Sequence, residues 1–202
     1  EKAQKNLLDL REQGRLAPQF QEWIEMMAKG ISVCQAAGRS IEDLEFALTQ
    51  PPQHAADLLI IRATVLAARG QHADAAATAA KLHELAEESE LSKSSQVFRQ
   101  NHLYNVACCY SLCARGVAKD KPELAAEDET LRRQYADQAV AALRAAIAAG
   151  YNDLRHLKAD PDLDCIRAGQ PARPGDPLLR RHHLRLAARE RAARAVLGAP
   201  LK

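Results

Sequence analysis

The chain has 202 residues, of which 47% are hydrophobic and 27% are charged, a balance that excludes an intrinsically disordered chain. Aromatic residues make up only 4% and alanine dominates the apolar set, which excludes a β-rich domain. The formal net charge of +2 combines −4 over residues 1–172 with +6 over residues 173–202. Because alanine has the highest helix propensity, the composition predicts an all-α fold with a basic tail.

Prolines and glycines divide the sequence into helices. Pro18 is suited to open the first helix, Gly38 to end it and Ser40 to cap the next. Gly70 and Gly150 are suited to end two later helices. The connections are short, which is typical of paired helices in a solenoid or a bundle. The predicted helices cover residues 19–37, 40–48, 54–69, 72–88, 95–114, 129–149 and 154–158.

The five cysteines do not read as a disulfide framework, because three of them lie in one apolar helical stretch around residues 108–113. This usage favours a reducing compartment and predicts a cytoplasmic protein. No apolar run approaches the ~18 residues needed to cross a bilayer, and no signal peptide is visible. The first residue is Glu rather than Met, which fits an excerpt from a longer protein.

Two segments read as tetratricopeptide units, each a pair of antiparallel helices with small residues where the helices cross. In Leu58–Leu82, Gly70 turns the chain, and Arg62 stands where such repeats usually carry Leu. In the second unit, Leu103–Tyr110 pairs with Ala136–Ala146. The residues predicted to face the partner helix are Leu59, Ala63, Leu66, Ala75, Ala79 and Leu82 in the first unit, and Ala107, Tyr110, Ala139, Leu143 and Ala146 in the second.

The predicted architecture is therefore a short, irregular α-solenoid of tetratricopeptide-like helix pairs, although a generic helical bundle fits the periodicity nearly as well. It has three parts. N-terminal helices over residues 1–52 are compatible with a diverged third repeat, and residues 53–164 form the repeat domain, with an insertion at 115–133. Residues 165–202 form a Pro- and Arg-rich tail with room for a terminal helix.

The run NHLYNVACCYSLCA and the later run RRQYADQAVAALRAAIAAGYNDLRHLKADPDLD are similar to the C-terminal tetratricopeptide regions of large bacterial serine/threonine protein kinases. The resemblance covers about residues 100–164 and fails at Cys165. It implies a neighbouring kinase domain rather than an activity here. The chain has none of the phosphate loop, catalytic loop or metal-binding motifs of a kinase, so no catalytic residue is predicted.

The resemblance also implies a peptide-binding groove. Asn105 corresponds to a first-helix position that faces the concave side of tetratricopeptide arrays, and Asn101, Tyr104 and Cys108 would lie on or near the same surface. The alternative is that Asn105 satisfies a neighbouring backbone group. Matching groove positions carry no array of Lys and Arg, so a carboxylate-binding clamp is not predicted.

The residues that could bind a metal ion are expected to have structural roles instead. Cys108, Cys109 and Cys113, with His102 nearby, lack a convergent fourth donor and are expected to pack as apolar side chains. Asp160, Asp162 and Asp164 lack the remaining oxygen donors and the distal Glu of a calcium loop, so a capping and turn role is expected. His72, His83 and the His182–His183 pair are expected to be solvated. No metal or cofactor is predicted.

The sequence thus predicts a non-catalytic protein–protein interaction or scaffolding module that binds a protein or peptide segment. One alternative is the regulatory segment of a kinase whose catalytic domain lies outside this chain. Another is a nucleic-acid or membrane-surface binder acting through the basic tail, against which the lack of interleaved aromatic residues argues. The tail itself has three open explanations: an interaction arm, a capping helix, or a run translated out of the family's reading frame.

Overall fold

A computed structural model of the chain describes residues 21–167 and, before them, the isolated positions Asn6, Asp9, Leu10 and Gln13. Within this part of the chain the regular elements are helical, which confirms the all-α prediction. The predictions for Pro18 and for the tail beyond Arg167 lie outside the described residues. The elements are α1 (Gln21–Glu42), α2 (Leu44–Leu48), α3 (Pro52–Ala68), α4 (His72–Glu88), α5 (Glu90–Ser94), α6 (Gln96–Val117), α7 (Ala126–Ala148), α8 (Leu154–Ala159), a 3₁₀ turn (Pro161–Leu163) and α9 (Asp164–Arg167).

The boundary predicted between the first two helices is wrong. Helix α1 continues through Gly38 to Glu42, and the Ser40 hydroxyl donates a hydrogen bond to the Ala37 carbonyl within the same helix. The N-cap of α2 is instead Asp43, whose Oδ1 accepts from the backbone N–H of Phe46 at 2.9 Å. A hydroxyl that bonds back along its own helix is not available to cap the next one.

The stops predicted at Gly70 and Gly150 are confirmed. Both glycines have positive φ, +79° and +105°, a conformation that L side chains rarely adopt. After α3, the N–H of Gln71 donates to the Leu66 carbonyl at 2.9 Å, and the N–H of Gly70 donates to the Ala67 carbonyl at 3.0 Å. The same pair of bonds closes α7 around Gly150. This is the Schellman arrangement, which satisfies the last carbonyls of a helix and reverses the chain.

The core lies between two helix pairs. Helix α3 packs against α4, α6 packs against both of these helices, and α7 packs against α6, while α1 lies on α3. The pair α6–α7 is antiparallel, since Gln96 at the start of α6 donates to the carbonyl of Ala149, just after α7 ends. Most residues predicted to face a partner helix are buried, and Leu143 is half-buried. The buried ones are Leu59, Ala63, Leu66, Ala75, Ala79, Leu82, Ala107, Tyr110, Ala139 and Ala146.

Small residues allow these helices to approach closely. Ala107 and Ala139 are completely buried, and a β-carbon added at Gly116 would lie only 3.2 Å from the Ala67 carbonyl oxygen. The end of α6 therefore lies directly against the end of α3. Lys119, just beyond α6, donates to the carbonyl of Ala68 and so caps the same helix end.

The residue that departs from the repeat pattern, Arg62, makes polar contacts that a leucine could not. Its Nη1 donates to the carbonyls of Ser40, at 2.8 Å, and Ile41 near the C-terminus of α1. Its Nε donates to the Thr78 hydroxyl at 3.2 Å, and Thr78 is completely buried in α4. A cation at helix-terminal carbonyls is favourable because it complements the helix dipole. Arg62 thus connects α1, α3 and α4.

The insertion predicted at 115–133 is mostly helical. Helix α6 runs to Val117 and α7 begins at Ala126, so the non-helical connection is residues 118–125. Likewise, the gap left between the predicted helices 72–88 and 95–114 contains the short helix α5, capped by the Ser89 hydroxyl. In the part of the chain that the structure describes, no helix is long and apolar enough to cross a membrane.

Candidate interaction site

Each of the four residues predicted to line a groove lies three or four positions from two of the others along α6, so all four share one side of that helix. Their exposure differs. Asn101 is exposed and Asn105 is partly exposed, whereas Tyr104 and Cys108 are only 4% and 8% exposed. The structure thus leaves the two amide side chains accessible and covers the phenol and the thiol. Their role in binding stays a prediction.

The cover over Tyr104 is the C-terminal segment, defined here as residues 151–163. The ring of Tyr151 stacks on that of Tyr104, with centroids 4.4 Å apart and planes within 9° of parallel. The Tyr104 hydroxyl donates to Asp160 Oδ2 at 2.6 Å, although these residues are 56 positions apart in sequence. A hydrogen bond to a charged acceptor at this distance is among the stronger kinds found in proteins.

The Asp160 carboxylate is the centre of the site. Oδ2 also accepts from the Cys108 thiol at 3.7 Å and lies 3.5 Å from His156 Nε2. Oδ1 accepts from the backbone N–H of Asp162 at 2.9 Å, which caps the 3₁₀ turn. The capping role predicted for Asp160 is therefore confirmed, and its side chain is only 11% exposed. The hydrogen-bond donors to this carboxylate are mainly neutral: a phenol, a thiol and a backbone N–H. A search of the sequence for arrays of Lys and Arg therefore does not find this carboxylate site.

A third contact extends the site along α6. Arg115 lies seven positions beyond Cys108 and donates from Nη2 to the Pro161 carbonyl at 2.7 Å. Leu163, two residues later, is completely buried and anchors the end of the C-terminal segment in the core. Helix α8 in the middle of the segment has no buried residue. The segment is thus held by polar contacts along its length, by partial burial of Leu157 in α8 and by full burial at its end.

The electrostatics of the site keep its donors protonated. Burial raises the pKa of the Tyr104 phenol, and the nearby Cys108 and Asp160 raise it further. Burial also raises the pKa of the Cys108 thiol far above its ordinary value, with Asp160 adding to the effect. Because the thiolate is the nucleophile and the metal ligand, a protonated thiol is suited to neither task. The arrangement can hold a carboxylate.

The other cysteines of α6 behave as buried apolar groups, as predicted. Cys109 and Cys113 are 2% and 0% exposed, and burial raises the pKa of Cys113 to about 12. All five cysteines of the chain are unpaired. Across residues 21–167, no group of three or more His, Cys, Asp or Glu side chains is arranged to hold a metal ion.

His72, His83 and His102, which lie in the described helices, are shielded from solvent to different extents. His72 and His83 were expected to be solvated, but both are half-buried, and His72 lies beside the Tyr135 ring with centroids 6.0 Å apart. His102 is 6% exposed and contacts Phe98 edge to face at 4.2 Å. Burial lowers the pKa of His102, and the charge of Asp57 partly offsets this effect. His102 is therefore favoured in its neutral form.

A second polar cluster surrounds Cys165, the position at which the kinase resemblance fails. Cys165 is 5% exposed, and burial raises the pKa of its thiol while the charges of Arg132 and Arg115 oppose that rise. Arg132 makes two hydrogen bonds to Glu129, at 2.7 and 2.9 Å, and these bonds hold the pKa of Glu129 at about 2. The first residues of the predicted tail are thus part of the packed structure.

Sequence reasoning missed the partners on the C-terminal segment, Tyr151 and His156, and the contact that Asp160 makes with α6. The spacing of residues reveals which side chains share a helix face, but it does not reveal what lies opposite that face. Comparison of the chain with protein-family models, curated proteins and solved structures returned no match.

Proposed function

We propose that this chain is a non-catalytic protein–protein interaction or scaffolding module built from tetratricopeptide-like helix pairs. The observation that carries the proposal is the order of helix packing. Helix α6, the first helix of the second pair, packs on both α3 and α4, and α7 packs back on α6. Stacked pairs in this order are the pattern by which such repeats build a binding surface.

The surface we assign to the partner is the accessible part of the predicted groove on α6. Asn101 is exposed and Asn105 is partly exposed. An amide side chain offers both a donor and an acceptor, so it can pair with the backbone of an extended peptide. The partner we propose is accordingly a protein or peptide segment.

The resemblance to the C-terminal regions of bacterial serine/threonine kinases supports placing the module in a larger signalling protein. In that setting it would recruit or position a substrate or regulator for a catalytic domain encoded elsewhere. Its unpaired cysteines suit a reducing compartment, so we propose a cytoplasmic location.

The test is a peptide screen with the full chain. Peptides selected from a displayed library would be measured by calorimetry against the wild type and against Asn105→Ala. Loss of one or two neutral hydrogen bonds should weaken binding roughly threefold to tenfold while the Tm stays nearly unchanged. Gln138→Ala, at an exposed position on α7, is the matched control and should alter neither quantity.

The stability measurement separates the two roles open to Asn105. If Asn105→Ala lowers the Tm by several degrees, the amide supports the fold and the groove assignment is wrong. If affinity is unchanged for every selected peptide, the partner binds elsewhere on the molecule.

A further inference from the structure

We propose that Tyr104, Cys108 and Arg115 form a recognition site for an acidic peptide segment, and that the C-terminal segment occupies this site as a built-in competitor. The inference rests on the proposed function, since it names the chemistry of the partner and the way access is controlled. The partner would present an Asp or Glu side chain in a turn and would replace Asp160.

The geometry resembles that of a bound peptide. Tyr104, Cys108 and Arg115 recur every four or seven positions along α6, so they line one side of it. They contact consecutive residues of the segment. The Asp160 carboxylate accepts hydrogen bonds from the phenol and the thiol, and the Pro161 carbonyl accepts one from the guanidinium. One side-chain acceptor and the next backbone acceptor are thus read together, as in recognition of an extended ligand.

The segment is attached in a way that permits displacement. Helix α8 has no fully buried residue, and its contact with the core is the partly buried Leu157, so displacement breaks that contact and the stacked tyrosine pair rather than a fully buried core. On one side the segment joins α7 at Gly150, whose φ of +105° lies in a region that glycine enters at low cost. On the other side, the completely buried Leu163 keeps the segment tethered. Opening breaks these contacts and the hydrogen bonds that Arg167 donates to carbonyls of the segment, but it leaves the α6–α7 core in place, and such regions open far more often than a core does.

A tethered competitor reduces the apparent affinity for a partner, because only the molecules whose segment is displaced can bind. Removing the carboxylate charge weakens the hydrogen bond from Tyr104. A hydrogen bond to a charged group corresponds to roughly a tenfold to hundredfold change in the equilibrium between the closed and the displaced segment. The variant Asp160→Asn keeps an oxygen to cap the N–H of Asp162 while losing the charge. It should therefore release the site with limited damage to the turn.

The experiment uses the full chain and a fluorescent synthetic peptide that copies residues 151–164. We expect the peptide to bind Asp160→Asn about tenfold or more tightly than the wild type. Asp137→Asn removes the same charge from an exposed position on α7 and should leave peptide affinity at the wild-type value. Adding Tyr104→Phe to Asp160→Asn should remove the gain, because the phenol donor is lost.

Hydrogen exchange of the wild type provides a test that does not depend on any variant folding. The amides of residues 154–160 should exchange through local opening, faster than those in the centres of α6 and α7. Exchange of these amides only together with the α6 core would overturn the proposal. Equal peptide affinity for the wild type and Asp160→Asn would overturn it as well.

These outcomes are distinguishable from failure of the proposed function. If library peptides bind the wild type through Asn105 while residues 154–160 exchange only with the core, the built-in competitor is refuted and the interaction module stands. If Asp160→Asn gains affinity for the copied peptide, and a further Asp→Asn change at the peptide position matching Asp160 abolishes binding, the carboxylate is the recognised group.

Discussion

Replacing a buried alanine by leucine where α6 crosses α7 should destabilise the fold, and the loss of stability reports how closely the two helices pack. Ala139 is completely buried on α7, and Leu in its place adds three carbon atoms where no solvent-accessible surface exists. Such overpacking costs about 1–3 kcal/mol of the free energy of unfolding. In a chain of this size each kcal/mol corresponds to about 2–4 °C, so Ala139→Leu should lower the Tm by about 2–12 °C. Ala107→Leu on the facing helix should have an effect of the same size, because Ala107 is also completely buried.

Ala141→Leu is the matched control, because Ala141 lies on the same helix and is exposed. The same increase in volume should there change the free energy of unfolding by less than about 0.5 kcal/mol. Thermal and urea denaturation followed by circular dichroism at the helical band would measure all three variants. A neutral result at both Ala107 and Ala139 would refute the pairing of α6 with α7 through these alanines.

Two glycine substitutions should act in opposite directions in the same denaturation assay. Gly30→Ala should raise the free energy of unfolding by up to about 1 kcal/mol, because a β-carbon there meets nothing within 4 Å and Ala favours the helix. Gly150→Ala should lower the free energy of unfolding by about 1–3 kcal/mol, because the φ of Gly150 is +105° and the added β-carbon would lie 2.7 Å from Gln96 Nε2. A shift in the same direction for both glycine variants would contradict the helix assignments. Acidification from about pH 7 to about pH 5 should destabilise the wild type more than His102→Gln. Burial lowers the folded-state pKa of His102, so the stability that the neutral imidazole contributes is complete above the ordinary pKa of 6.5 and is lost as the pH falls through the lowered pKa. Parallel profiles of Tm against pH for the two proteins would contradict this assignment.

The parts of the fold that the sequence predicted well are those set by local chemistry. Gly70 and Gly150 end helices because a residue with positive φ stops a helix wherever it occurs. Gly38 is also a glycine but lies inside α1, since glycine in a helix interior costs only about 1 kcal/mol and the packing of α1 on α3 offsets this cost. Local sequence does not distinguish these two situations. The choice is made by tertiary contacts.

The same division applies to the candidate site. The capping role of Asp160 is visible in the sequence because it involves Asp162, two positions away. The contact with Tyr104 spans 56 positions and depends on how α7 and the C-terminal segment fold back over α6. Arg62 is similar, since its departure from the repeat pattern is evident but its acceptors on α1 are not. Long-range polar pairs of this kind carry no periodic signal.

The cysteines of this chain form a graded series of chemical accessibility. Cys34 is partly exposed, Cys108 lies beneath Asp160, and Cys113 is completely buried within α6. A thiol must reach solvent and lose its proton before an alkylating reagent can modify it. Each of these three sites therefore requires a different extent of opening: none, displacement of one short segment, or disruption of the helix core. The order in which mass spectrometry detects their modification records the hierarchy of motions in the native protein, without any introduced label.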